Sequence, residues 1–398
     1  GLHKQLAALL AGARQKEGRF FAFNPLPWEV KRFVTLPTGE RLYQCLLPGG
    51  MTPVNQQASQ PGDARAEETA EGVVLQNSLL RVQLNRQGLI TGMWSVPDGM
   101  AYMADGMRMN DWRLFKQVES VYDAWEMSEA YPEDPLRDMR AEAELTEVTP
   151  QRVCLRIRRS FSNSTAEQTL ILEALSPVLA VRNHVVWRET HKLLKIYFET
   201  DIHCVEAVHE IQFGSVRRPC RRSGAAERAY FEVCQQRYSA VAEEGRGVAV
   251  LNNGLYGVSA DRGTLALTVL RAPVVPDEAC DRGEHNFDFS VLPFAGRLDE
   301  RVVRAGYELN QPPIILPGDC GERAGFACDG AILETVKPPE DGGPDVILRL
   351  YESTGSTCLA KLRLPEGWRL RACGMDETGE ETECDPMALR FTPYEIRT

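Results

Sequence analysis

Apolar and polar side chains alternate in many short segments of this chain, and this period constrains the fold more than any other feature. The alternation is clear at residues 80–84, 153–158 and 265–270. Because successive side chains of a strand point to opposite faces, each segment predicts an antiparallel strand with one buried and one solvated face. Many such segments, separated by turn residues, predict an all-β chain.

Three breaks in this pattern divide the chain. Residues 2–17 carry apolar side chains at spacings of three and four and end at Gly18, which predicts one N-terminal helix. Polar stretches with Gly or Pro at 54–72 and 311–318 predict loops. We therefore expect four parts: the helix at 1–18, strands of a small β domain at 19–66 that pack with the C-terminal part, a large antiparallel β-sandwich at 67–312, and a small β-sandwich at 313–398.

The composition argues against several kinds of partner. The formal net charge of −11 disfavours nucleic acid and anionic membrane surfaces. No apolar run approaches the roughly 20 residues that span a bilayer. The 11 cysteines include no Cys-x-x-Cys pair and no zinc-like spacing with histidine. We expect reduced thiols, a cytoplasmic location, and no metal site in this chain.

Seven short blocks of sequence, spread over nearly the whole chain, together resemble those of one known protein family. They are Phe23-Asn-Pro-Leu-Pro-Trp28, Tyr122-Asp-Ala-Trp-Glu-Met127, Trp187-Arg-Glu-Thr-His-Lys-Leu-Leu-Lys195, Glu210-Ile-Gln-Phe-Gly214 with Arg218-Pro219, Phe231-Glu-Val-Cys234 leading to 247–253, Leu270-Arg-Ala-Pro273 leading to 281–285, and Pro393-Tyr-Glu-Ile396. In this order, the blocks resemble the C-terminal β-sandwich region of the family 38 α-mannosidases, a group of glycoside hydrolases, in their cytosolic and bacterial branch.

The resemblance implies an architecture for a longer enzyme. That architecture is a β/α catalytic domain, a three-helix bundle, a large galactose-mutarotase-like supersandwich, and small Ig-like β-sandwiches. Residues 2–17 would be the last helix of the bundle. The catalytic zinc, its ligands and the nucleophilic Asp would all lie before this segment. The resemblance therefore implies no catalytic residue, no metal ligand and no cofactor within this chain, and zinc in the absent catalytic domain.

The function implied by the resemblance is hydrolysis of terminal α-mannosides by a zinc-dependent, retaining exo-α-mannosidase. In such an enzyme this chain would supply scaffold and contacts at the rim of the substrate site. Its partners would be a mannosyl glycan and the catalytic domain, and a homo-oligomer is compatible with this arrangement. We expect the chain by itself to be inactive, without membrane or nucleic-acid partners.

Tyr122 and Asp123 are the first candidates for sugar contacts. An aromatic ring can pack on the C–H face of a pyranose while a neighbouring carboxylate accepts hydrogen bonds from its hydroxyls. The alternative is structural: Asp123 would cap a turn, and Trp125 would be a core anchor. For Trp125 we expect this structural role, and for Tyr122 and Asp123 we expect the sugar contact.

Arg282 and His285 are the second pair of candidates. They lie in the Gly-containing, charged stretch 276–289, and loops carry function more often than strands do. In the family that this chain resembles, a loop from this position reaches toward the catalytic pocket, where Arg or His can hydrogen-bond to sugar hydroxyls. The alternative is an ordinary exposed loop.

Two rival functions remain open at this point. A stand-alone carbohydrate-binding module would bind sugar without any further domain. A mutarotase-like epimerase would need one His as acid and one Glu as base, and the candidates are His191 or His209 with Glu189 or Glu210. The blocks match mannosidases better than epimerases.

Overall fold

The computed structural model describes residues 18–58, 60–117, 120–131, 135–136, 138–378 and 382–398. The N-terminal helix predicted at 2–17 lies outside these residues. Strands dominate the described part, which confirms the all-β prediction. Its helices are α1 (Ala225–Arg228) and α2 (Glu300–Asn310), and neither is long and apolar enough to cross a bilayer.

The strands are numbered in chain order. The first four are β1 (Phe20–Phe23), β2 (Val30–Thr35), β3 (Arg41–Leu46) and β4 (Met51–Pro53). The middle of the chain contains β5 (Arg65–Glu68), β6 (Gly72–Gln76), β7 (Leu80–Asn85), β8 (Ile90–Ser95), β9 (Met109–Lys116), β10 (Pro135–Leu136), β11 (Arg140–Val148), β12 (Arg152–Phe161), β13 (Ser164–Glu173), β14 (Leu179–Trp187), β15 (Lys192–Phe198), β16 (Glu206–Ile211), β17 (Gly214–Pro219), β18 (Val233–Cys234), β19 (Tyr238–Ala242), β20 (Arg246–Asn252), β21 (Gly257–Asp261), β22 (Thr264–Arg271) and β23 (Gly283–Ala295). The C-terminal strands are β24 (Ile314–Pro317), β25 (Ala327–Asp329), β26 (Ile332–Lys337), β27 (Ile347–Tyr351), β28 (Cys358–Arg363), β29 (Arg371–Ala372), β30 (Thr382–Glu383), β31 (Leu389–Phe391) and β32 (Ile396–Arg397).

The chain divides into two compact units. One contains the residues up to Gln60, the segment 212–215 and the residues from Asn310 onward. The other contains Pro61–Ile211 and Val216–Leu309, and it is called the central unit below. The corresponding boundaries predicted from the sequence are 66/67 and 312/313.

Two large antiparallel sheets make up the central unit. The ten-stranded sheet has the order β18-β21-β22-β15-β9-β8-β7-β6-β5, with β10 paired to β9. The nine-stranded sheet has the order β11-β12-β13-β14-β23-β20-β19-β16-β17. The two sheets stack face to face: the rings of Phe198 and Phe289 meet edge to face at 5.4 Å, and Trp112 packs on Phe161 at 6.3 Å. This is the supersandwich that the sequence analysis predicted.

A buried amide cluster also joins the two sheets. The Asn110 side chain exchanges two hydrogen bonds with that of Gln168, of 2.7 and 3.0 Å, and Gln168 donates a third to Asn183 at 2.8 Å. All three residues are nearly inaccessible to solvent. Because a buried amide is costly without partners, this cluster favours one alignment of the sheets over others.

The other unit consists of small sheets. Near the N-terminus these are β24-β1-β4 and the hairpin β2-β3. At the C-terminus, β25-β28-β31 and β26-β27-β32 share one apolar core to which Cys328, Leu333, Leu350, Leu362 and Phe391 contribute. Those two sheets therefore form the small C-terminal β-sandwich that the alternation pattern predicted.

Two elements differ from the sequence-based expectation. Helix α2 was not predicted, although Val302, Val303 and Tyr307 form its buried face at helical spacing. Strand β5 lies inside the stretch 54–72, which was predicted to be a loop. Its residues are polar and mostly exposed because it is the edge strand of its sheet, so the alternation that marks inner strands is missing.

We expect Gly263→Ala to destabilise the central unit strongly. Gly263 has φ +85°, and a Cβ there would lie 2.4 Å from the carbonyl oxygen of Ile202. Backbone strain and this clash together should lower the free energy of unfolding by about 2–4 kcal/mol in urea titrations. Gly99→Ala is the matched control, because Gly99 has φ +68° with no atom near the added Cβ, and about 1 kcal/mol is expected. Equal losses would contradict the steric argument.

We expect His209 to make stability depend on pH. Burial lowers its pKa to about 4, whereas an unfolded His titrates near 6.5. As the pH falls below about 6.5, only the unfolded chain gains the proton, so about 3 kcal/mol of stability is lost by pH 4. His209→Gln should remove this part of the slope in urea titrations across that range. His203→Gln is the control for the substitution itself, because the His203 side chain is 85% exposed. An unaltered slope in His209→Gln would contradict the assignment.

Candidate functional site

The first predicted site residues lie on a loop, 120–131, that packs against the outer face of the ten-stranded sheet. Tyr131 anchors the end of this loop. Its ring meets Phe115 of β9 edge to face at 5.4 Å and packs on Phe231 at 6.3 Å. Phe115 and Leu193 of β15 complete the apolar cluster beneath Tyr131. Over β9 and β15, the outer face of this sheet is therefore covered by the loop and by the segment that carries Phe231.

A buried ion pair fixes both covering segments to β15. The ammonium of Lys195, which is 0% exposed, donates to Glu232 Oε2 at 2.6 Å, to the Tyr131 hydroxyl at 2.8 Å and to Ser259 Oγ at 2.8 Å. Glu232 also accepts from the hydroxyls of Tyr131, at 2.6 Å, and of Thr268. Every donor of the ammonium thus has a partner, which is the condition for burying a charge.

The electrostatics of this cluster follow from burial. Burial lowers the pKa of Lys195, and the carboxylate of Glu232 opposes that shift. Burial and the same carboxylate raise the pKa of Tyr131. Burial also raises the pKa of the neighbouring Tyr197 to about 12, although the Arg113 guanidinium lies 4.0 Å from its ring centre. Both phenols therefore remain protonated, and that of Tyr131 donates its proton in the hydrogen bond to Glu232.

Asp123 attaches the first part of loop 120–131 to the segment that follows β22. Its carboxylate is 0% exposed and accepts the backbone N–H groups of Val274, at 2.8 Å, and Val275, at 2.9 Å. The Nδ1 atom of His191 lies 3.5 Å from the same carboxylate. The two backbone donors, with the nearby His191 and Arg271, keep the pKa of Asp123 below its usual range. Asp123 therefore acts as a cap on the 274–275 backbone.

Arg271, at the end of β22, also holds loop 120–131 in place through hydrogen bonds. Its guanidinium donates to the carbonyl oxygens of Asp123, Ala124 and Glu126 and to Gln117 Oε1. This residue belongs to the Leu270–Pro273 block but was not among the predicted site residues. A single Arg in a strand-end block is too common to be singled out by sequence, and only the fold brings the three carbonyls to it.

The side chains of Tyr122 and Trp125 point outward from this anchored loop. They are 60% and 69% exposed, and their rings meet edge to face at 6.4 Å. The backbone N–H of Trp125 donates to the Tyr122 carbonyl at 2.9 Å, which closes the turn between them. The expectation that Trp125 is a core anchor is wrong. The ring of Tyr122 is open to a ligand, whereas Asp123 beside it is enclosed.

Arg282 and His285 lie on the loop and strand start that follow β22. Arg282 is exposed, and His285 is partly buried with its Nε2 atom 2.7 Å from the Asp281 carbonyl oxygen. The Asp281 carboxylate accepts the backbone N–H of Arg271 at 3.1 Å. Arg271 therefore contacts both candidate loops.

The residues suggested for an epimerase each have a different partner. Glu189 accepts from Ser164 Oγ at 2.7 Å, and Glu210 pairs with the Arg237 guanidinium at 3.0 Å. His209 is 0% exposed and hydrogen-bonds to Ser239, while His191 faces Asp123. These contacts do not include the His–Glu pair that such an epimerase needs as its acid and base.

A metal site needs several ligating side chains close together. In the part of the chain that the structure describes, no group of three or more His, Cys, Asp or Glu side chains could hold a metal ion. Zinc sites in proteins use three or four such ligands. The described residues therefore do not fit a zinc site.

Two family models match this chain. One, described as the glycosyl hydrolases family 38 C-terminal domain, matches residues 75–279, which is more than half of the chain. The other, described as the family 38 C-terminal beta sandwich domain, matches residues 330–398. The first match lies within the residues assigned to the large sandwich, and the second within those assigned to the small one.

Similar proteins include α-mannosidases. The chain is 31% identical to alpha-mannosidase 2C1 of Homo sapiens over 98% of its own length and 40% of that protein. It is 26% identical to alpha-mannosidase G of Dictyostelium discoideum over 95% of its length and 37% of that protein. The structure of an alpha-mannosidase from Enterococcus faecalis V583 covers all of this chain with a TM-score of 0.74 at 14% identity, and this chain covers 52% of it.

The chain thus spans about two fifths of the length of the curated relatives that it matches. The likeness to the Enterococcus faecalis structure is one of fold. The assignment to a family rests on the family 38 C-terminal domain model, which matches residues 75–279 and so most of the central unit. By this match, the chain belongs to glycosyl hydrolase family 38 and corresponds to its C-terminal β-sandwich region.

Proposed function

We propose that this chain is the sandwich portion of a zinc-dependent, retaining exo-α-mannosidase that removes terminal α-mannosides from oligosaccharides. One observation carries the proposal: the chain matches the C-terminal domain of family 38 and about 40% of the length of α-mannosidase relatives. In this proposal, the zinc ion and the nucleophilic carboxylate belong to polypeptide outside these 398 residues. The chain acts in the cytoplasm, which is supported by its eleven free cysteines.

The contribution of this chain is scaffold and one or two contacts at the rim of the mannoside site. The exposed ring of Tyr122 packs on the C–H face of a mannosyl unit, and Trp125 widens that apolar platform. Both rings stand on a backbone that Asp123 and Arg271 hold through hydrogen bonds. A platform held in this way loses little conformational entropy when it binds sugar.

The remaining predicted residues have distinct roles in the proposal. Arg282, which is exposed, donates to sugar hydroxyls. His285 is tied to the Asp281 carbonyl and offers its other ring nitrogen. Asp123 is a positioning residue, because its carboxylate is enclosed and already accepts two backbone N–H groups.

A stand-alone carbohydrate-binding module is the second candidate function. The exposed Tyr122–Trp125 pair favours it, because aromatic side chains of this kind can bind sugar without a catalytic domain. The two proposals differ in what the isolated chain does with a mannoside.

The isolated chain should have no α-mannosidase activity. With an aryl α-mannoside and added zinc, we expect no release of the aryl group above the rate without protein, and no saturable binding of mannose by titration calorimetry. Saturable binding without turnover would support the binding module instead. Turnover that is lost on replacing a carboxylate within this chain would overturn the proposal that the catalytic residues lie outside it.

In the longer enzyme, Tyr122→Ala should weaken substrate binding. Loss of one ring–sugar contact is worth about 1–1.5 kcal/mol, so we expect KM for an aryl α-mannoside to rise roughly tenfold, with a smaller change in kcat. Tyr256→Ala is the matched control, because Tyr256 is 58% exposed and belongs to no candidate loop. Equal KM and kcat values for the Tyr122 variant and the wild type would show that Tyr122 does not contact the substrate.

A further inference from the structure

Two buried thiols touch at the open end of the β16–β17 hairpin. Cys204 precedes β16 by two residues, and Cys220 directly follows β17. Their Sγ atoms are 3.4 Å apart. The backbone N–H of Cys220 donates to the Val205 carbonyl at 2.9 Å, so the two chain segments are paired at this point.

The surrounding backbone fixes this corner. Arg262 donates its backbone N–H to the Cys220 carbonyl at 3.0 Å, and the Thr200 hydroxyl donates to the Gly263 carbonyl at 2.6 Å. A disulfide needs an S–S distance of about 2.05 Å, which the two sulfurs can reach by moving roughly 1 Å through side-chain rotation. The strands need not separate or change register for this to happen.

The two sulfurs are not equivalent. Cys204 is 8% exposed, and the residues on either side of it, His203 and Val205, have largely exposed side chains. Cys220 is 0% exposed. The contact between the two thiols lowers the pKa of Cys204, while the same contact and burial raise the pKa of Cys220. Cys204 is thus the sulfur that a small oxidant meets first.

We propose that Cys204 and Cys220 form a reversible intramolecular disulfide when hydrogen peroxide is present. The Cys204 thiolate attacks one peroxide oxygen, the O–O bond breaks, and with one proton the products are a Cys204 sulfenic acid and water. The Cys220 sulfur then attacks the sulfenic sulfur and loses its proton, and a second water leaves. Two thiols are oxidised by two electrons, one peroxide is reduced to two waters, and a dithiol reductant reverses the change.

The cross-link would stabilise the central unit. It closes a loop of about 17 residues across the hairpin, and closing a loop of that size restricts the unfolded chain more than the folded one. We expect the oxidised protein to melt about 5–10 °C higher than the reduced protein in the same buffer.

The test is peptide mapping of the 398-residue chain after treatment with a small excess of hydrogen peroxide. We expect a linked Cys204–Cys220 peptide that disappears with dithiothreitol and accompanies the rise in Tm. The exposed thiols of Cys45 and Cys234 serve as internal controls for general oxidation. In Cys220→Ser, a dimedone adduct should collect on Cys204, and in Cys204→Ser, Cys220 should stay reduced.

A poorly folded variant does not prevent a decision, because the peptide map of the wild-type chain by itself shows whether the Cys204–Cys220 disulfide forms. The linked peptide in the wild type supports the proposal, and the dimedone adduct on Cys204 in Cys220→Ser supports the proposed order of the two steps. Oxidation of Cys45 or Cys234 while Cys204 and Cys220 remain free thiols would overturn it. Linkage of either buried cysteine to a different partner, within one chain or between two chains, would overturn it as well.

Discussion

The buried pair between Lys195 and Glu232 is the contact on which the outer side of the ten-stranded sheet depends. An ammonium that is 0% exposed is tolerable only with a full set of acceptors, and Glu232, Tyr131 and Ser259 supply them. Two of these acceptors lie on segments that cover the sheet. Because removing one partner leaves a charge without compensation, at a cost of about 3–5 kcal/mol, the covering segments and the strand stabilise each other.

The candidate site extends from this contact. Loop 120–131 is held at its end by Tyr131, at its front by the Asp123 carboxylate, and along its carbonyls by Arg271. Three independent polar attachments leave the loop backbone little freedom, although two of its aromatic side chains are largely exposed. The proposed sugar contact rests on this combination of exposed aromatic rings and a tightly held backbone.

The sequence alone predicted features that depend on neighbouring residues, and it missed features that depend on residues far apart in the chain. Alternation predicted the inner strands correctly, because the face of each side chain depends only on its immediate neighbours. Edge strand β5 escaped detection because an edge needs no apolar face. Trp125 was misjudged for a different reason: aromatic residues are usually buried, and only the packing around a loop decides whether a particular one is. Arg271 was missed because its carbonyl partners lie about 145 residues away.

By itself, the sequence determined the class of fold, the two β-sandwiches and the membership in family 38, because periodicity and ordered blocks are local properties of the chain. The tertiary structure alone decided which charges are paired, which aromatic rings face solvent and which thiols touch. Lys195 meets Tyr131 across 64 residues and Glu232 across 37. No local pattern encodes such a meeting, since the partners of a buried charge are the residues that the fold brings next to it in space.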